Sequence, residues 1–298
     1  MIVVDTITEL RRRLASARRD DRRIGFVPTM GYLHEGHLAL IDEARARADV
    51  AVLSIFVNPL QFGPGEDLDR YPRDLERDSA LAQGRGVDLL FTPSAEELYP
   101  GGPPQTRVTA PELTNRLCGA FRPGHFDGVL TVVAKLFNIV QPDVAVFGQK
   151  DLQQAVLIRR MVADLDFAID IVVAPIVREP DGIAMSSRNS YLDATQRASA
   201  RALSRALGAA QDAFATGERA PPALVAAARA VLTTFDGVSE QYIELVEPRT
   251  LATPERARPG DAIAIAAFVG ATRLIDNRLL TEPGTAQAVD STGGPGPK

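Results

Sequence analysis

The run Arg23-Ile24-Gly25-Phe26-Val27, followed by Pro28-Thr29-Met30-Gly31-Tyr32-Leu33-His34-Glu35-Gly36-His37-Leu38, decides the fold. The first part reads as a short apolar strand, the middle as a loop, and the end as the start of an amphipathic helix. The same change of pattern recurs along the chain. Strands are predicted at 23–27, 50–57, 87–91, 143–147 and 169–173, with helices near 37–48, 74–85, 128–140 and 151–165. The apolar runs are continuous rather than alternating, as in strands covered on both faces. Residues 1–176 are therefore expected to form a doubly wound parallel sheet of the α/β class, with ligands at the carboxyl ends of its strands.

After Pro175 the pattern changes. Val177-Arg178-Glu179-Pro180-Asp181-Gly182 reads as a loop, and Ala-rich helices follow over about 194–216 and 221–235. Strands are expected near 239–246, 262–269 and 273–280. A smaller α+β domain over 177–298 follows from this, with the Gly/Pro/Ser/Thr-rich stretch 281–298 expected to be a disordered tail. No internal repeat is present.

Composition narrows the function classes. The 298 residues are 45% hydrophobic and 24% charged, enough to bury a large core. No apolar run approaches the roughly 18–20 residues that cross a bilayer, so no membrane association is expected. The net charge of −5 disfavours a nucleic-acid partner. Cys118 is the single cysteine, which rules out an internal disulfide and fits a reducing, cytoplasmic setting. Lysine occurs only at 135, 150 and 298 against 30 arginines, so Lys150 within a motif suggests a need for a compact ammonium.

Two of the three histidines, His34 and His37, stand three apart at a helix start. Their rings and the first free N–H groups could converge on one anion, aided by the helix dipole, with Gly36 letting a phosphate approach. A zinc-protease site would space its histidines four apart. Neither a Walker A sequence nor G-x-G-x-x-G occurs. In Phe147-Gly148-Gln149-Lys150-Asp151, Gly148 permits close approach of a ligand and Lys150 offers charge to phosphate, while Asp151 could cap the next helix. Gln61 and Gln154 suit a hydroxyl or carboxylate. Ser186-Ser187-Arg188 offers two hydroxyls and a cation. His125 could cap a buried helix or line the site. That helix is expected to carry one polar stripe, Thr131, Lys135 and Asn138, from which Lys135 reaches either a ligand or water. Asp78 reads as a residue on a solvated helix face.

The string PTMGYLHEGH is similar to the HxGH motif of the nucleotidyltransferase superfamily in the form carried by the pantothenate synthetase family. Four further segments agree in order: Asn58-Pro59-Leu60-Gln61-Phe62-Gly63, Arg122-Pro123-Gly124-His125-Phe126, Phe147 to Gln154, and Met185-Ser186-Ser187-Arg188-Asn189. Tyr71-Pro72-Arg73-Asp74 also matches. The resemblance implies a Rossmann-like domain with a lid-like second domain, a homodimer, and condensation of pantoate with β-alanine through a pantoyl adenylate, releasing AMP and pyrophosphate. ATP would arrive with Mg²⁺, no metal being held by the protein alone. Catalysis is expected from His34, His37, Lys150, Ser186, Ser187 and Arg188. ATP would touch Met30, His34, His37, Gly148, Lys150, Asp151, Val177, Met185, Ser187 and Arg188. Pantoate would touch Met30, Asn58, Gln61 and Gln154. One rival is a nucleotidyltransferase that keeps the nucleotide in its product, which should place cations where the glutamines stand. A second is a nucleotide-binding scaffold without activity, which should have lost a motif residue.

Overall fold

The computed structural model describes residues 1–283. The expected disorder of the tail therefore falls, from residue 284 on, outside the described residues.

Six parallel strands, β1 (Ile2–Val4), β2 (Ile24–Thr29), β3 (Val50–Ile55), β4 (Leu89–Phe91), β5 (Val144–Gly148) and β6 (Asp170–Ala174), form one sheet in the order β1-β4-β3-β2-β5-β6. Its two faces enter separate cores, because successive strand side chains point to opposite sides. Phe26, Val52, Phe91 and Phe147 pack on one face, and Val27, Leu53, Leu90 and Val146 on the other. The chain winds from β2 out to β4, then returns to place β5 on the other side of β2. That reversal opens a crevice between the carboxyl ends of β2 and β5, where such sheets bind ligands.

Helices Glu35–Arg45, Leu75–Gly84, His125–Val140 and Leu152–Asp164 lie close to the expected spans. The structure adds β1 and the helix Ile7–Arg19, whose buried Leu10, Leu14 and Ala17 recur at helical spacing among arginines. Twelve of the 16 residues in His125–Val140 are buried. Its polar stripe does different work from a ligand contact. Thr131 Oγ1 accepts the Val108 N–H, Lys135 lies 5.9 Å from the Tyr99 ring centre, and Asn138 is exposed with its amide donating to the Ala134 carbonyl.

The later residues build an antiparallel sheet, β7 (Val238–Val246), β8 (Ala262–Val269) and β9 (Thr272–Leu279), with helices Ala194–Ala215 and Pro221–Leu232 against it. In β8, Ile263, Ile265 and Val269 pack under these helices, while Ala262, Ala264 and Ala266 join the core of the larger sheet. Alternation thus gives β8 one bulky face and one small face, and the small one lets the two sheets share a core. Asn277 on β9 reaches across, its amide donating to the carbonyls of Gln149 (2.9 Å) and Lys150 (3.0 Å).

Candidate functional site

The loop after β2 carries the two histidines into the crevice. His34 is the N-cap of helix Glu35–Arg45, and its Nδ1 accepts the Gly36 N–H at 3.1 Å. Of the first N–H groups expected to be free here, that of Gly36 is held by the imidazole and that of His37 by the His34 carbonyl. With Nδ1 an acceptor, the proton of neutral His34 sits on Nε2. Gly36 is required for a local reason as well: a Cβ there would lie 2.9 Å from the His34 ring.

The His34 and His37 ring centres are 4.0 Å apart. Burial, then the positive charge of Lys150, lowers His34 to about 4, against a smaller opposite pull from Asp151 and Glu179. Burial, His34 and Lys150 push His37 well below its ordinary value. Both rings are neutral near pH 7. His37 Nδ1 is buried and has no hydrogen-bond partner among the described residues.

Across the crevice, β5 ends at Gly148, where a Cβ would meet nothing nearer than 4.0 Å, so the backbone there faces open space. Lys150 follows in a single 3₁₀ turn, its Nζ 3.9 Å from Asp151. Asp151 occupies the N-cap position of helix Leu152–Asp164, yet its side chain makes no capping bond, which corrects the capping alternative. The Gln149 amide donates instead to Asn277 Oδ1 at 3.1 Å, away from the crevice.

After β3, Asn58 opens the turn Pro59–Gln61. Asn58 is 1% exposed and saturated: its Nδ2 donates to Gln61 Oε1 and the Gly128 carbonyl, and its Oδ1 accepts from Tyr99 Oη and the Leu60 N–H. Gln61 is left with Nε2, which donates to the Met30 sulfur at 3.2 Å. The buried helix presses directly on this turn, since a Cβ at Gly128 would lie 2.3 Å from the Leu60 carbonyl oxygen. Gln154, half-buried in the same crevice, has no side-chain hydrogen bond to a described residue.

His125 begins the buried helix and lines the crevice. Its Nδ1 donates to the Gln61 carbonyl at 2.7 Å and its Nε2 accepts from Arg122 at 3.0 Å. Burial, then the Arg122 charge, lowers it to about 4. It thereby steadies the Gln61 turn.

The segment after β6 closes the crevice from above. Val177 and Met185 line it, joined by the Met185 N–H to Val177 carbonyl bond of 3.0 Å. Ser186 Oγ caps the next turn by accepting the Arg188 N–H, and Ser187 Oγ donates to the Tyr32 carbonyl at 3.3 Å. Two adjacent acids in the loop after Gln61 take up two arginines of the walls. Glu66 pairs with Arg122 at 2.6 Å and Asp67 with Arg188 at 2.9 Å.

All fourteen residues expected at the site line the crevice, Asp151 among them as an exposed residue, together with Tyr71, Arg122 and His125. Lys135 does not. Sequence reasoning missed Tyr71, Asp67 and Asn277 as parts of the site. The Tyr71-Pro72-Arg73-Asp74 run was the available signal for the first, and none existed for the other two. Asp78 corrects the reading of a solvated face: it is 1% exposed and accepts the N–H groups of Tyr32 and Leu33. Among the described residues no group of three or more His, Cys, Asp or Glu is placed to hold a metal ion, and no helix is long and apolar enough to cross a membrane.

Neutral donors and cations gathered over the switch point of a parallel sheet define the class, an α/β protein whose cleft is made for anions. The chain belongs to the pantoate-β-alanine ligase family, whose model matches residues 2–279. It is 57% identical over 282 residues to pantothenate synthetase 1 of Bradyrhizobium diazoefficiens, covering 94% of this chain and 99% of that one. The crystal structure of pantothenate synthetase from Thermus thermophilus superposes with a TM-score of 0.89 at 48% identity, over 94% of this chain and 99% of that one. Pantoate-β-alanine ligase from Francisella tularensis, solved in complex with β-γ ATP and β-alanine, matches with a TM-score of 0.78 at 37% identity, over 94% and 97% of the two chains.

Proposed function

We propose that this chain is an ATP-dependent ligase that joins pantoate to β-alanine, giving pantothenate, AMP and pyrophosphate through a pantoyl adenylate. The observation that carries it is one crevice with two chemistries. The same crevice is lined by the neutral amides Gln61 and Gln154 and by His34, His37, Lys150 and Arg188. Amides suit the hydroxyl and carboxylate of a small acid without neutralising the carboxylate that must attack. Donors and cations suit a triphosphate. A transferase that keeps the nucleotide in its product would need free cations where the glutamines stand, and Arg122 beside Gln61 is already paired with Glu66, so that alternative is not favoured.

In the first step a pantoate carboxylate oxygen bonds to the α-phosphorus of ATP, and the bond to the β-phosphate bridging oxygen breaks. The carboxylate is already ionised near neutral pH, so alignment and charge stabilisation suffice. His34 would offer its Nε2 proton, Lys150 its ammonium, and Ser186, Ser187 and Arg188 the grip on departing pyrophosphate. Met30, Gly148, Asp151, Val177 and Met185 complete the nucleotide wall in this proposal. Asn58 would act through Gln61, because its own amide is fully engaged. Mg²⁺ carried on the phosphates would add further charge neutralisation.

In the second step the β-alanine nitrogen bonds to the acyl carbon, and AMP leaves with the electron pair of the broken C–O bond. A histidine lowered to about 4 is a poor acceptor for an ammonium proton, so the amine is taken as its neutral form and its proton passes to solvent. Residues 177 onward act in this proposal as a lid that shields the adenylate from water. A cytoplasmic homodimer belongs to the same reading, and sedimentation velocity tests the oligomer.

The reaction is tested by following AMP and pyrophosphate from ATP, Mg²⁺ and pantoate, with and without β-alanine, in wild type and Lys150→Ala. Amine-dependent AMP that disappears in the variant supports it. No AMP with pantoate under any amine would overturn the substrate assignment.

A further inference from the structure

The most deeply buried carboxylate near the crevice belongs to no step above. Asp78 sits on helix Leu75–Gly84 beside exposed Leu75, Glu76 and Arg77, yet is itself 1% exposed. A carboxylate taken out of water is costly unless its oxygens are satisfied. Here Oδ2 accepts the Tyr32 N–H at 2.6 Å and Oδ1 the Leu33 N–H at 2.7 Å. Two successive N–H groups point to one side because Gly31 and Tyr32 both have left-handed backbones, φ +83° and +52°. That arrangement is an anion nest, and Asp78 is its anion. For tyrosine this conformation is strained, and at Gly31 a Cβ would strike Ile55 at 2.8 Å and approach Asp78 at 3.1 Å.

The peptide between Tyr32 and Leu33 is held at both ends. Its N–H donates to Asp78, and its carbonyl accepts from Ser187 Oγ at 3.3 Å. A carboxylate on the N–H side strengthens the carbonyl as an acceptor. The next residue is His34, which starts the helix. We propose that Asp78 is a positioning residue: it fixes the strained Tyr32–Leu33 peptide, and through it the placement of His34 and the seat of Ser187, for adenylate formation. The proposal rests on the crevice being an adenylating site. Arg77, 3.6 Å away, is the one cation paired with the carboxylate among the described residues. Pantoate, held at Gln61 and Gln154, lies outside this relay.

Asp78→Asn puts an amide NH₂ against a backbone N–H and leaves one acceptor for two donors. Pantoate-dependent ATP–pyrophosphate exchange should lose about 10- to 100-fold in kcat, the size of one or two charge-assisted bonds, with a raised KM for ATP and an unchanged KM for pantoate. Asp78→Glu keeps the charge and should recover part of the rate. Asp143→Asn is the control, since Asp143 Oδ2 accepts the Ile24 N–H at 2.6 Å at the opposite end of β2. It should lose stability while keeping the exchange rate. Equal exchange rates for folded Asp78 and Asp143 variants, or a loss at Asp78 confined to the pantoate KM, would overturn the proposal. Should Asp78→Asn not fold, a folded Asp78→Ser enzyme, which lacks the carboxylate, with wild-type exchange kinetics would overturn it equally. Absence of exchange in the wild type would instead refute the ligase reading.

Discussion

Arg188 and Asp67 meet in a two-point ion pair, with Nε 3.0 Å from Oδ2 and Nη2 2.9 Å from Oδ1. Arg188 also lies 5.8 Å from the Tyr71 ring centre. In the proposed ATP complex, phosphate oxygens would compete with this carboxylate for the guanidinium. Asp67→Asn should bind a non-hydrolysable ATP analogue more tightly, by about three- to tenfold, a modest gain because the pair is partly exposed. Isothermal titration calorimetry checks it, and weaker binding would mean that Asp67 holds Arg188 in its working position.

The histidines carry a pH signature. His34 and His125 titrate near 4 in the fold, against roughly 6.5 for an unfolded chain. Between those values the unfolded chain binds more protons, so stability is full above about pH 6.5 and is lost as pH falls toward 4. Thermal unfolding across pH 4–8 should show this decline. The ring Cε1–H resonances of both residues should stay at their neutral positions down to pH 5, and a midpoint near 6.5 for His34 would contradict the burial argument.

Asn277 anchors the turn that carries Lys150 through the carbonyls of Gln149 and Lys150. Asn277→Ala leaves those buried acceptors unsatisfied, at about 1–3 kcal/mol. It should lower the adenylation rate about tenfold by loosening Lys150, as read by pyrophosphate exchange. An unchanged rate would confine Asn277 to holding the sheets together.

Gln61 is a neutral side chain in the lining of the crevice. Gln61→Glu places a carboxylate where the acid substrate is proposed to sit, so the pantoate KM should rise more than about tenfold with the ATP KM little altered. Steady-state kinetics with each substrate varied decides it.

The two lysines outside the tail test the sorting of polar residues. Lys135→Met should leave turnover within about twofold, since Lys135 packs beside Tyr99, whereas Lys150→Ala should abolish most of it. A kinetic defect from Lys135→Met would reopen the ligand reading of that stripe.

The order of strands and helices was legible from apolar runs and helical spacing, because burial on both faces of a strand and one face of a helix leaves a periodic mark. Part of the crevice was legible too, from residues at or just after a strand end, Met30 and His34 after β2 and Gly148 and Lys150 at the end of β5, whereas Gln61 and Gln154 stood out only through the family resemblance. Partnership between distant residues was not. Asp78 among exposed neighbours, Asp67 facing Arg188, and Asn277 beneath Lys150 are pairings across 45, 121 and 127 positions of sequence. Local pattern reports whether a side chain tends inward, but a buried carboxylate and a solvated one have the same neighbours in sequence. What separates them is which backbone N–H groups the fold brings within 3 Å, and that only the tertiary structure decides.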